Sequence, residues 1–179
     1  MKKLELGQGV PLVGANGPDF ASSFQAIVTF VTSTSVREKI LAASDFPLPG
    51  DLPAFLLVNQ LVFRGAARPT DMADAIQTGR SNVSKIVRRL EDAGLVFRAS
   101  DPRDDRAVVI ALTDLGLEVG ARILTASEYV YGAAPEGWSP EELATLETLI
   151  VKLALTLDAV PGHPLSAAAG VDLRADRKL

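Results

Sequence analysis

Three carboxylates and two guanidinium groups fall within six residues in "DPRDDR", Asp101 to Arg106, between the apolar stretches "GLVF" and "AVVIAL". Asp101, Asp104 and Asp105 are residue types that hold a hard cation or share a proton as an acid/base pair. Arg103 and Arg106, interleaved among them, argue against both uses. So does the want of any nearby histidine, glycine-rich phosphate loop or nucleophile. A second chemistry suits the same residues better. A hairpin tip that carries arginine can enter the minor groove of duplex DNA, where the potential is most negative if the groove is narrow.

The other chemically suggestive set lies just upstream, in "RSNVSKIVRR". At helical spacing Val83, Val87 and Leu90 line one face with Ile86 beside them, so Ser81, Asn82, Ser84, Lys85 and Arg88 turn largely outward. Short hydroxyl and amide groups let a helix lie close to base edges in a major groove, and a long cation one turn later reaches phosphate or guanine. The chain as a whole has a formal charge of −4, which by itself speaks against a polyanionic partner. Its distribution speaks the other way. Between Arg80 and Arg98 five basic residues (Arg80, Lys85, Arg88, Arg89, Arg98) face two acidic ones, Glu91 and Asp92.

These residues need elements to position them. Phe20, Phe24, Ile27 and Val31 recur at helical spacing, and the pattern continues through Ile40 and Leu41, which predicts one helix ending near Ser44. Asp51 is the expected N-cap, with Pro53 in the first turn, of a second and mostly buried helix through Phe63. Thr70 is the expected cap of a short helix to about Ile76. "QTG" then makes a tight turn, and a helix from Arg80 to Ala93 is stopped by Gly94. Two strands follow, Val96 to Ser100 and Ala107 to Leu112. Thr113 caps a helix to about Tyr131, and "SPEE" (Ser139 to Glu142) is a capping box for the last one. There Leu143, Leu146, Ile150, Leu153 and Leu157 form a 3-4-3-4 seam with Leu149 and Leu155 beside it, so one face is expected on its own chain and another on a partner.

Helix, tight turn, helix and charged hairpin together make a winged helix-turn-helix. Over about residues 20 to 158 the sequence resembles the MarR family (multiple-antibiotic-resistance regulators). The most specific stretch is "SNVSKIVRRLEDAGLVFRASDPRDDRAVVIALTDLG". In it "RLEDAGLV" looks like the family's helix-to-strand junction, "DPRDDR" like its wing, and "LTDLG" like the start of its dimerisation helices. The resemblance implies a homodimer whose first, fifth and sixth helices interlock, with two winged modules on a pseudo-palindromic operator. It puts Ser81, Asn82, Ser84, Lys85 and Arg88 at the major groove and backbone, and Arg106 in the minor groove with its guanidinium held by Asp104. Asp101 and Pro102 would shape the turn. It also implies an effector pocket between the dimer and DNA-binding parts, for which Phe24, Phe30, Phe55, Phe63 and Trp138 are candidates. Two positions depart from the pattern: Gly79 stands where the family usually has a serine or threonine N-cap, and Gln77 where the turn often has glycine.

The expected fold class is therefore mainly α with a small β-hairpin wing (α+β), the winged helix-turn-helix being embedded in a helical dimerisation domain. The expected division is an irregular arm over 1–19, a dimerisation helix and linker over 20–50, the DNA-binding region over 51–112, dimerisation helices over 113–158 and a mobile tail over 159–179. A hydrophobic fraction of 47% hints at apolar surface buried against a second copy. The 179-residue sequence has no cysteine, hence no disulfide, thiol switch or thiolate metal site, and its one histidine, His163, lies in the tail segment. No signal peptide or membrane span is legible, so a cytoplasmic protein is expected. The function expected is that of a homodimeric, ligand-responsive repressor binding double-stranded DNA, with a small-molecule effector, no cofactor or metal and no enzymatic activity. The alternative is a winged-helix module that binds protein and not DNA.

Overall fold

In the computed structural model, residues 13, 17–101, 104–132 and 137–159 are described. The expected arm and tail lie almost wholly outside them, as do Pro102, Arg103 and the side chain of Asp105.

The predicted first helix is two. Helix α1 (Phe20–Thr32) starts at a capping box between Asp19 and Ser22, and α2 (Thr34–Ala43) starts at Ser33. The apolar periodicity crosses this break without interruption, which is why it misleads. In "VTSTS" the hydroxyls compete for backbone groups. The Ser33 main chain is extended (φ −65°, ψ 142°), its Oγ accepts from Val36 N–H at 3.4 Å, and its own N–H donates to the Phe30 carbonyl at 3.1 Å.

Helix α3 (Leu52–Arg64) begins as expected, the Asp51 carboxylate accepting from Ala54 N–H at 3.1 Å, and ends at Gly65, whose φ of 70° suits glycine. A two-residue strand β1 (Ala66–Ala67) follows. Helix α4 (Pro69–Ala75) starts two residues before the expected position, because Pro69 itself is preset for the first turn. Arg68 is its N-cap residue, and Thr70 caps nothing: its hydroxyl donates to Asp71 at 3.3 Å. After a turn in which Gln77 takes a left-handed φ of 51°, α5 (Arg80–Asp92) runs to Gly94, φ 71°. The hairpin strands β2 (Val96–Asp101) and β3 (Asp104–Leu112) reach further into the wing than expected, and β1 pairs with β3 to give an antiparallel sheet in the order β1-β3-β2. Helices α6 (Asp114–Gly132) and α7 (Pro140–Asp158) complete the chain, α7 opening on the capping box of Ser139 and Glu142.

The core is built where α3, α4, α5, the sheet and α6 meet, around Leu57, Leu61, Met72, Ile86, Leu90, Leu95, Ile110 and Ile123, all fully buried. Thr113 ties α6 to this core, its hydroxyl donating to the Gly94 carbonyl at 2.6 Å and accepting from Gly116 N–H at 3.0 Å. Helices α1 and α7 stand outside it. α1 buries no residue, and in α7 only Asp158 is buried, so the face of α7 expected to pack on its own chain does not. No helix among the described residues is long and apolar enough to cross a membrane.

Candidate nucleic-acid interface

The amphipathic pattern of α5 is met by the packing. Val83, Ile86, Val87 and Leu90 are buried, and Ser81, Asn82, Ser84, Lys85 and Arg88 are all exposed. Gly79 supplies an extended N-cap conformation without a side-chain bond, and just past it Asn82 Nδ2 donates to Thr78 Oγ1 at 2.9 Å. Ser84 Oγ bonds back to the Arg80 carbonyl at 3.2 Å, as a serine within a helix often does. The exposed face is thus a row of short polar groups with Lys85 and Arg88 beyond them.

The basic patch divides by what each cation faces. Arg89 makes a two-point pair with Asp51, Nε to Oδ2 at 2.7 Å and Nη2 to Oδ1 at 3.0 Å, which joins α5 to the start of α3. That hydrogen bonding raises the guanidinium pKa above its ordinary value. Arg98 is likewise held by Glu91 at 2.8 and 3.3 Å. Among the described residues no carboxylate pairs with Arg80, Lys85 or Arg88. Three cations on one exposed face are left to meet an outside anion.

At the wing, Arg106 is exposed and its guanidinium pairs with no described residue. The expected Asp104–Arg106 ion pair is therefore not formed. Asp104 Oδ1 instead accepts the Arg106 backbone N–H at 3.2 Å, a short-range bond typical of aspartate at the start of a turn or strand, and its Oδ2 lies 3.6 Å from Arg68 Nη2. Asp101 is more than a turn-former: it is 7% exposed and takes Arg68 Nε at 2.8 Å and Nη2 at 2.6 Å. Arg68 had no signal in the sequence, since 33 residues separate it from Asp101 and no spacing links them.

A cavity of about 410 Å³ lies between α2, α3, α6 and the turn before α5, with Arg37, Phe55, Asn59, Phe63, Gln77 and Tyr131 among its walls. Of the five aromatic candidates Phe55 and Phe63 line it, whereas Phe24, Phe30 and Trp138 do not. Phe30 stands edge-on to Tyr131, ring centres 6.4 Å apart. The Tyr131 hydroxyl donates to the Val31 carbonyl at 3.1 Å, and partial burial raises its pKa above the ordinary phenol value. No cluster of acidic, histidine or cysteine residues suited to a metal ion occurs among the described residues.

Known proteins resemble the chain in both sequence and fold. A model of the MarR family matches residues 52–108. The HTH-type transcriptional regulator FarR of Neisseria gonorrhoeae is 30% identical over 104 residues, which cover 58% of this chain and 71% of FarR. The uncharacterized HTH-type transcriptional regulator YkoM of Bacillus subtilis is 29% identical over 101 residues; the match covers 56% of this chain and spans 66% of YkoM's own length. In fold, a MarR family protein from Bacillus stearothermophilus superposes with a TM-score of 0.58 at 19% identity, over 76% of this chain and 94% of that one. The transcriptional regulator Tm0710 from Thermotoga maritima gives 0.56 at 22% identity, over 76% and 95%. With the helix-turn-helix geometry, the three-stranded sheet and these likenesses together, the chain belongs to the MarR family of HTH-type transcriptional regulators.

Proposed function

We propose that the chain is a homodimeric repressor that binds a pseudo-palindromic operator in double-stranded DNA, with α5 in the major groove and the wing in the minor groove. The observation that carries this reading is the sorting of the basic patch. Arg89 and Arg98 are neutralised internally, while Arg80, Lys85 and Arg88 stay exposed and unpaired among the described residues, beside Ser81, Asn82 and Ser84. A solvated helix face needs no such division. A DNA-reading face needs short groups for base edges and free cations for phosphates.

Dimerisation is supported by the apolar surface of the outer helices. Phe20 is 76% exposed and Ile27 60% on α1, and Leu149 and Ile150 are each 56% exposed on α7, large apolar side chains of the kind that a partner surface covers. On this reading residues 51–112 carry the DNA-binding region, and 20–50 with 113–158 the dimerisation helices. Two recognition helices one DNA turn apart, ~34 Å, then meet successive major grooves.

The cavity supports ligand control, since one wall belongs to α2 and α6, outside the helix-turn-helix, and another to the turn of the helix-turn-helix itself. An occupant that touches both Tyr131 and Gln77 spans the two parts and biases their relative placement. The test of the whole reading is selection of bound duplexes from a random library. Enrichment of a two-fold symmetric site supports it, and no enrichment at low salt favours a protein-binding winged helix instead.

A further inference from the structure

Resting on the DNA-binding reading, we infer that Arg68 is a positioning residue for the wing: from the N-cap of α4 it clasps the base of the hairpin and fixes where Arg106 is presented.

The argument begins with the sheet. Strand β1 pairs with β3 through Ala66 with Ala111 and Ala67 with Ile110, so Arg68 leaves the sheet edge beside the wing and not at a distance from it. Its main chain there is extended (φ −70°, ψ 147°), and Pro69 commits the next residues to α4. The side chain runs from the β1 edge to the far end of β2, where Asp101 lies. The β2–β3 register shifts between Ser100 and Asp101, an irregularity of the kind that re-aims a side chain. Asp101 is buried, and Arg68 donates to it through Nε and Nη2 at 2.8 and 2.6 Å. One guanidinium thus joins the helix-turn-helix to the end of β2.

The same Nη2 lies 3.6 Å from Asp104 Oδ2, while Asp104 Oδ1 receives the Arg106 N–H. A continuous set of contacts therefore runs from α4 through Arg68 and Asp104 to the main chain of Arg106. The Arg106 guanidinium pairs with no described residue, and only the base of the side chain is fixed. Fixing the base before DNA arrives reduces the ordering cost on binding, and a rigid planar fork does this where a flexible ammonium does not.

The experiment measures fluorescence anisotropy with the duplex that the wild-type chain selects from a random library, its flanks made A·T-rich or G·C-rich. The proteins are wild type, Asp101→Asn, Arg68→Lys, Arg106→Ala, and each of the first two changes combined with Arg106→Ala; thermal melts show that each is folded. Asp101→Asn is nearly isosteric, and by removing a negative charge near DNA it would by simple electrostatics tighten binding. The expected result is the opposite, a loss of about tenfold on A·T-rich flanks and little on G·C-rich ones. Arg68→Lys keeps its charge and is expected to lose as much. Neither change should cost anything further once Arg106 is alanine. The inference is overturned if Asp101→Asn binds as tightly as wild type or tighter, if Arg68→Lys retains full affinity, or if the losses add to that of Arg106→Ala, which would make Arg68 a phosphate contact in its own right. A wild-type chain that binds no duplex removes the underlying reading itself, an outcome separate from these.

Discussion

At the scale of single residues, neighbouring arginines on α5 have different work. Arg88 is exposed and unpaired among the described residues, whereas Arg89 is engaged by Asp51. Arg88→Ala and Lys85→Ala should therefore weaken binding across sequences and shallow the salt dependence, by roughly one unit of slope per cation removed and two per dimer. Arg89→Ala should leave that slope nearly unchanged and lower stability modestly, by ~0.5–1 kcal/mol, as expected for a partly exposed two-point pair. Thermal melts and titrations at several salt concentrations separate the two behaviours. Asn82→Ala and Ser84→Ala should instead relax base preference at particular operator positions, read by repeating the selection with each variant. An unchanged selected site for both would contradict the placement of α5.

At the scale of elements, the close approaches are where substitutions should cost most. α6 passes so near the start of β2 that a Cβ on Gly116 would lie 2.0 Å from the Leu95 carbonyl oxygen, a backbone atom that cannot step aside. At Gly120 the nearest atom is the Val62 Cγ2, at 2.7 Å, a side chain with some room to adjust. Gly116→Ala should thus destabilise by more than ~2 kcal/mol and Gly120→Ala by less, a ranking that parallel denaturant titrations will check. Ser33→Ala removes the cap at the α1–α2 break and should cost ~0.5–1 kcal/mol. These features also mark how far the sequence can be read. The helices whose apolar period and caps agree, α3, α5, α6 and α7, were legible from Asp51, Gly94, Thr113 and Ser139. The break at Ser33 was not, because periodicity passes through it and only the hydroxyls interrupt the ladder. Strand β1 is two residues long and carries no alternation. The outward face of α5 could be read from its own spacing, while the Arg68–Asp101 clasp depends on a tertiary approach that no local pattern encodes.

At the scale of the whole molecule, an acidic chain presents one exposed basic face, and its outermost helices present apolar ones. The two surfaces suit different partners, a polyanion and a second copy. Folding and association should be inseparable if α1 and α7 are covered only in the dimer, so analytical ultracentrifugation at micromolar concentration should find a dimer, and the melting temperature should rise with protein concentration. A stable folded monomer over that range would contradict the assembly. The central claim, that the α5 face and the wing bind an operator together, is tested most directly by fluorescence anisotropy on the selected duplex with A·T-rich and G·C-rich flanks, comparing wild type with Arg106→Ala. The account predicts strongly salt-dependent binding by wild type, tighter on A·T-rich flanks, and a loss for Arg106→Ala on the order of 1–3 kcal/mol per site that is larger on those flanks. Equal affinity of the two proteins on both duplexes would contradict it.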